Sequence, residues 1–155
     1  MANSLKYAQL IEVTMLRRDQ YRQATEWEYG PQPENTDWAR LTRDLEQPNW
    51  INYAVYYKNH FCAAVSLECV NSKIVRFHVA KQPKTINPFE LADLLIRMAD
   101  WLLRIGFDEI EAVIPFGYRP SRRLAIRTGM TYRGNVQNGE RFSITKDEYQ
   151  RLYHE

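Results

Sequence analysis

The sequence predicts a single soluble α/β domain, and three observations carry that prediction. Between Lys73 and Phe116 a strand, a long helix and a second strand follow one another, a crossover unit that implies parallel pairing. Ahead of it lie three β-rich runs separated by short polar breaks, the pattern of a meander. Behind it Asn138-Gly139 sits between two further β-rich runs, a strong hairpin signal. At 155 residues the chain is one domain in length, and such a domain buries roughly 70% of the surface its unfolded chain exposes.

The elements follow in order. Tyr7 to Thr14 forms a first strand, and Leu16 to Tyr29 a charge-rich helix. Gly30-Pro31-Gln32-Pro33 stops that helix, because proline cannot continue it. Asp37 to Glu46 is a second, short helix with Trp38, Leu41 and Leu45 on one face. The meander is Ile51 to Tyr57, Phe61 to Val70 and Lys73 to Ala80, with breaks at Lys58-Asn59-His60 and Asn71-Ser72. In its third run Ile74, Arg76 and His78 share one face, and Val75, Phe77 and Val79 the other.

Asn87-Pro88-Phe89-Glu90 then reads as a capping residue, a proline at the first helical position and an acid at the third. Ile86 and Leu91 stand where a hydrophobic staple would be. The helix runs to Ile105 and ends at Gly106. Asp93 with Arg97 and Asp100 with Arg104 are i,i+4 pairs on its outer stripe; the rest, Trp101 included, should pack on a sheet. Glu109 to Phe116 alternates, with Ile110, Ala112, Ile114 and Phe116 inward. Pro120 to Thr128 is a helix closed by Gly129, Thr131 to Gln137 and Glu140 to Thr145 are the last strands, and Lys146 to Glu155 is a terminal helix.

Composition narrows the function classes. A formal charge of +2 makes no bulk electrostatic case for nucleic acid or an anionic membrane. Met1 to Thr14 lacks the layout of a signal peptide, and no apolar run approaches the ~20 residues of a membrane span, so a cytoplasmic location is expected. Cys62 and Cys69 lie seven apart on one strand, on opposite faces and roughly 23 Å from each other, too far for a disulfide. Buried free thiols are expected. Cysteines and His60, His78 and His154 show no metal-ligand spacing. Aromatic residues make up 13%, with ten Tyr and four Trp, a content compatible with a contact surface.

The segment Tyr118-Arg119-Pro120-Ser121-Arg122-Arg123-Leu124-Ala125-Ile126-Arg127-Thr128-Gly129-Met130 resembles one found in the GNAT superfamily of acyl-CoA-dependent N-acyltransferases. There a strand ends, a helix packs, and a Gly-Phe pair leads into the next strand; Gly129-Met130 stands at that pair, and Ser121 and Leu124 fit its small and apolar positions. The element order is similar over nearly the whole chain, the residue match over about its second half. The resemblance implies a mixed, mostly antiparallel sheet of six to seven strands flanked by helices. It implies acyl transfer from acetyl-CoA to an amine, with no metal. Lys81, Lys84, Thr85, Ile86 and Asn87 would hold the pyrophosphate. Val79, at the end of the fourth strand, with Tyr118 and Ser121, would line the pantetheine between the splayed fourth and fifth strands.

Two departures stand beside the match. The family's phosphate loop carries glycines whose open amides approach the ligand. Lys81-Gln82-Pro83-Lys84-Thr85-Ile86-Asn87-Pro88 has no glycine and two prolines, leaving Lys81, Lys84 and the Thr85 hydroxyl as contacts. The tyrosine that protonates the leaving thiolate in many members is replaced by Ala125, and the Asn that often begins the segment by Tyr118. A base must still take the ammonium proton, and Glu68 and His78 are the candidates on central strands. Against them stands the plainer reading, a structural histidine and a solvated glutamate.

Arg119, Arg123 and Arg127 recur at i,i+4 beside Arg122, suited to phosphate or nucleic acid; the plainer reading is a solvated face neutralised by Glu109 and Glu111. Trp27, Trp38, Trp50 and Trp101 are core or groove-lining, with Trp27 and Trp38 where the family builds its acceptor side. Three classes follow. One is a divergent acyltransferase. The alternative is a GNAT-like protein without catalysis, serving a protein partner. Small divergent proteins of that kind occur among bacteriophage proteins, some associated with virion assembly, which would place this chain in the host cytoplasm or the virion. The third is an arginine-helix nucleic-acid module, against which the low charge argues.

Overall fold

The computed structural model describes residues 11–82 and 84–154. The expected first strand over residues 7–10, Pro83 and Glu155 lie outside the described residues. Among the described residues there are seven strands, β1 (Ile11–Met15), β2 (Trp50–Tyr57), β3 (His60–Cys69), β4 (Ile74–Lys81), β5 (Glu109–Ile114), β6 (Thr131–Val136) and β7 (Gly139–Thr145). Five helices accompany them among the described residues, α1 (Arg18–Tyr29), α2 (Trp38–Leu45), α3 (Pro88–Ile105), α4 (Arg119–Arg127) and α5 (Lys146–Tyr153). The strands hydrogen-bond in the order β1-β2-β3-β4-β5-β7-β6. The sheet is mixed and mostly antiparallel, with β4–β5 the parallel pair from Ile74↔Glu109 to Arg76↔Glu111.

Contacts fall into two compact units: residues up to Glu68 with His78–Asn87, and Cys69–Phe77 with the chain from Pro88 onward. In the first, β2 and β3 pair from Trp50↔Glu68 to Tyr57↔His60, with a register shift at Val55/Tyr56. Lys58 and Asn59 both take positive φ, 51° and 68°, so the turn is shorter than the three-residue break expected and its twist suits a two-residue hairpin. Ala54, Val55, Ala63, Val65 and Leu67 are buried there. Gln20, 2% exposed, fastens α1: its Oε1 accepts from the Arg17 amide at 3.0 Å and its Nε2 donates to the Tyr56 hydroxyl at 2.5 Å. Tyr56 is held below the ordinary tyrosine range by the hydroxyl of Thr14 and by Gln20. In α2, Asp37 caps the Arg40 amide. Among its described side chains Thr42 is buried while Leu41 is exposed; the packed stripe is therefore Trp38, Thr42 and Leu45, one position round from the one expected.

In the second unit α3 buries Leu91, Leu95, Ala99, Leu102 and Leu103. The expected pairs form, Arg97–Asp93 at 3.6 Å and Arg104–Asp100 at 2.8 Å. Trp101 is 45% exposed, contrary to expectation, because at ~100° per residue it falls opposite the leucine stripe. Pro115 has no N–H to continue a ladder, so β5 ends at Ile114 and Phe116 turns outward. Gly117 (φ 76°) completes that corner, whose Tyr118 amide returns to the Pro115 carbonyl at 3.1 Å.

The final hairpin differs by one residue from the Asn138-Gly139 turn. Val136 pairs with Gly139, so Gln137 and Asn138 turn and Gly139 opens β7. Packing explains the shift: a Cβ on Gly139 would lie 2.1 Å from the Ile114 carbonyl oxygen. The glycine serves a close backbone approach rather than a turn. Arg133 is the extra residue of a bulge in β6, beside Gly134 at φ 114°. Thr145 and Glu148 form a capping box that starts α5. Both cysteines are free; Cys62 is buried, but Cys69, at the end of β3, is partly exposed rather than buried as expected.

Candidate active site

The two residues read as candidate bases are brought together. His78 Nε2 lies 3.0 Å from Glu68 Oε1. Trp50 stacks on the imidazole, ring centroids 4.8 Å apart at 29°. The backbone dictates this grouping. Trp50 and Glu68 are directly opposed in the β2–β3 ladder, so their side chains share a face, and Asn52↔Ser66 is the next pair on that face. His78 alternates with buried Phe77 on β4 and so points away from it.

The chemistry of the pair follows from donor and acceptor inventories. A carboxylate only accepts, so in the neutral imidazole Nε2 carries the proton and Nδ1 the lone pair. His78 and Glu68 side chains are 42% and 22% exposed, so the pair is reachable from solvent. Beside it Ser66 is buried, and Asn52 donates through Nδ2 to the Leu45 carbonyl at 2.5 Å. Asn52 Oδ1 is buried without a donor among the described residues. Asn52 and Ser66 were not singled out by sequence, and Trp50 was named only as core or groove-lining; the signal that could have placed them here is the shared parity of Trp50 and Asn52 on β2 opposite Glu68.

The expected phosphate loop is more closed than its side chains suggest. The Gln82 amide is taken by the Cys62 carbonyl at 2.9 Å. The Thr85 hydroxyl donates to the Gln82 carbonyl at 2.7 Å, so its proton is committed within the loop. Ile86 is buried, Val79 and Lys81 are half-buried, and Lys84 and Asn87 are exposed. Lys84 sits at φ 64°, the left-handed conformation glycine takes without cost. Tyr118, 45% exposed, is the N-cap residue of α4 without a side-chain capping bond, and Ser121 is half-buried in the first turn. Ala125 is buried and brings no proton donor.

The arginines of α4 are not neutralised as expected. Glu111 receives Arg76 at 2.9 Å and Arg141 at 3.4 Å, and Glu109 receives Arg141 at 3.1 Å and the Ser143 hydroxyl at 2.6 Å. Arg122 lies 3.8 Å from Glu140. Arg119, Arg123 and Arg127 make no ion pair among the described residues. Among those residues, too, no group of three His, Cys, Asp or Glu is placed to hold a metal, and no helix is long and apolar enough to cross a membrane.

Solved structures share this architecture. The aminoglycoside acetyltransferase AAC(6')-Ib, in complex with coenzyme A, superposes with a TM-score of 0.75 at 10% identity, covering 92% of this chain and 98% of that one. The fold is that of the GNAT acetyltransferases. The Campylobacter jejuni N-acetyltransferase PseH gives 0.69 at 12% identity, over 88% of this chain and 99% of its own. A spermidine N-acetyltransferase SpeG chimera with Vibrio cholerae sequence gives 0.68 at 15%, over 90% and 98%. No family model matches the sequence, and no curated protein matches it.

Proposed function

We propose that this GNAT-fold chain is an acyl-CoA-dependent N-acyltransferase in which His78, oriented by Glu68, is the general base. The observation that carries the reading is the 3.0 Å His78–Glu68 pair under the Trp50 ring. An alkylammonium acceptor is protonated near neutrality and has no lone pair to attack with. His78 Nδ1 takes that proton, directly or through one water, while Glu68 holds the proton on Nε2 and stabilises the imidazolium. The amine nitrogen then bonds to the acyl carbon, the C–S bond breaks with its electron pair leaving on sulfur, and the nitrogen's second proton passes to solvent, which leaves a neutral amide and a thiolate. A thiol titrates near pH 8.5, so its thiolate leaves without an obligatory acid, which fits Ala125 in place of a tyrosine. Lys81, Lys84, Asn87 and the backbone at Thr85 and Ile86 are proposed for the donor's phosphates, with Val79, Tyr118 and Ser121 for its pantetheine arm. Support for an amine acceptor comes from similarity to the structures of an aminoglycoside acetyltransferase and a spermidine N-acetyltransferase.

The committed loop hydroxyl and the missing glycines favour a second reading, a GNAT scaffold that binds a protein partner without catalysis, as in an assembly factor. Calorimetric titration of acetyl-CoA, followed by a CoA-release assay over polyamine and aminoglycoside acceptors, separates the two. Micromolar binding, about −8 kcal/mol, with turnover lost in His78→Ala is expected. No heat with millimolar acetyl-CoA would sink the enzyme reading in favour of the scaffold.

A further inference from the structure

We propose that the arginine face of α4 binds the phosphates of the acyl-CoA donor through its guanidinium side chains. This inference rests on the acyltransferase reading. Its first support is charge left uncompensated. Arg119, Arg123 and Arg127 recur every fourth residue and so stand on one side of α4. None has a carboxylate within 4.0 Å among the described residues, although Glu109, Glu111 and Glu140 all pair with other arginines. Such cations in a row repel one another, by roughly 1 kcal/mol per contact in water, unless an anion joins them.

The second support is that one guanidinium is already oriented. Arg127 lies 4.3 Å over the Phe89 ring, in the first turn of α3, and Phe89 is itself 60% exposed. A large apolar ring held in solvent is economical when its face restrains a cation. A stacked guanidinium keeps its N–H edge outward, the geometry that meets a phosphate through two parallel hydrogen bonds. Tyr118, exposed at the other end of the same helix, gives the row an aromatic neighbour. The ligand chemistry is a compact polyanion with two or more phosphoryl groups; of its sources, acyl-CoA and free pyrophosphate, the donor is the one proposed.

The test compares acetyl-CoA, acetyl-dephospho-CoA, acetylpantetheine and inorganic pyrophosphate by calorimetry on the wild type, Arg123→Gln/Arg127→Gln and Phe89→Leu, with Arg122→Gln as a control on another side of the helix. All positions changed are exposed, so circular dichroism should show unaltered folding. The double variant should weaken acetyl-CoA at least about tenfold and flatten the salt dependence of its Kd, leaving acetylpantetheine unchanged. Phe89→Leu should give a smaller loss of the same kind. Equal Kd for acetyl-CoA in wild type and double variant, with turnover intact, would overturn the arginine site and leave the enzyme reading standing. Failure of both acetyl-CoA and acetylpantetheine to bind wild type would remove both. Tight, steeply salt-dependent binding of an oligonucleotide that displaces acetyl-CoA would reassign the face to nucleic acid and overturn the proposal.

Discussion

Replacing Glu68 with Gln preserves side-chain size and one acceptor oxygen, 3.0 Å from His78 Nε2, while removing the charge. The electrostatic loss alone is modest, because His78 is 42% exposed and solvent screens the pair. The larger effect is on the tautomer. A carboxylate forces the proton onto Nε2, whereas an amide can present either oxygen or NH2 to the ring. When NH2 faces Nε2, the lone pair sits there and Nδ1 carries the proton, so the imidazole cannot accept from the ammonium. Charge loss and a divided tautomer population together predict a fall in kcat of about 10–100-fold in Glu68→Gln, with KM for acetyl-CoA unchanged. His78→Ala should lose about 10²–10⁴. Because Glu68 acts only through His78, the double variant should match His78→Ala rather than multiply the two losses. The assay is steady-state CoA release with a saturating amine, extended to the acid side, where the limb due to the base should vanish with the imidazole. Multiplicative losses, or a His78→Ala enzyme at full rate, would refute the dyad.

Three further outcomes concern the frame around the site. Gly139→Ala places a Cβ 2.1 Å from the Ile114 oxygen, with backbone on both sides; the strand must shift, and a loss of roughly 2–4 kcal/mol in urea unfolding is expected. Gln20→Ala strips the Arg17 amide and the Tyr56 hydroxyl of a buried partner, which should cost about 1–3 kcal/mol, whereas Gln20→Glu should retain the capping half. Glu148 is held below its ordinary value of 4.5, first by the Thr145 amide and then by the Thr145 hydroxyl and Arg133. A depressed carboxylate pKa contributes stability above the unfolded value that is lost as pH falls through the folded one. Glu148→Gln should therefore destabilise by about 1 kcal/mol at neutral pH, and the gap to wild type should close below pH 4.5 in thermal melts.

Much of the fold was legible because its signals are local. Pro88 after Asn87, Gly106, the alternation of β5 and the i,i+4 pairs of α3 each follow from one or two residues, and each helix and strand lies within a few residues of where it was read. What sequence missed is set by neighbours distant in the chain. Asn138-Gly139 looks like a turn until Ile114 occupies the space a side chain would need. Glu109 and Glu111 could have faced the arginines of α4, but strand pairing put Arg76 and Arg141 beside them first. At the site, Glu68 and His78 could be named from residue type and Trp50 as core or groove-lining, but their contact depends on the β2–β3–β4 register.

Two polar clusters of similar composition differ in access rather than in charge. Around Glu111 one carboxylate oxygen is claimed by Arg76 and the other by Arg141, and the side chain is 5% exposed. A network so occupied can organise strands but has no atom to offer a substrate. The Glu68–His78 pair contributes little to stability, since even when charged a solvent-accessible pair is worth about 0–1 kcal/mol. Apolar residues at those two positions would serve the sheet equally well. A histidine oriented by a carboxylate, stacked on Trp50 and open to solvent is therefore poorly explained as packing. On the proposed reading it is a proton acceptor, and the loop without glycines then marks a change in how the donor is held.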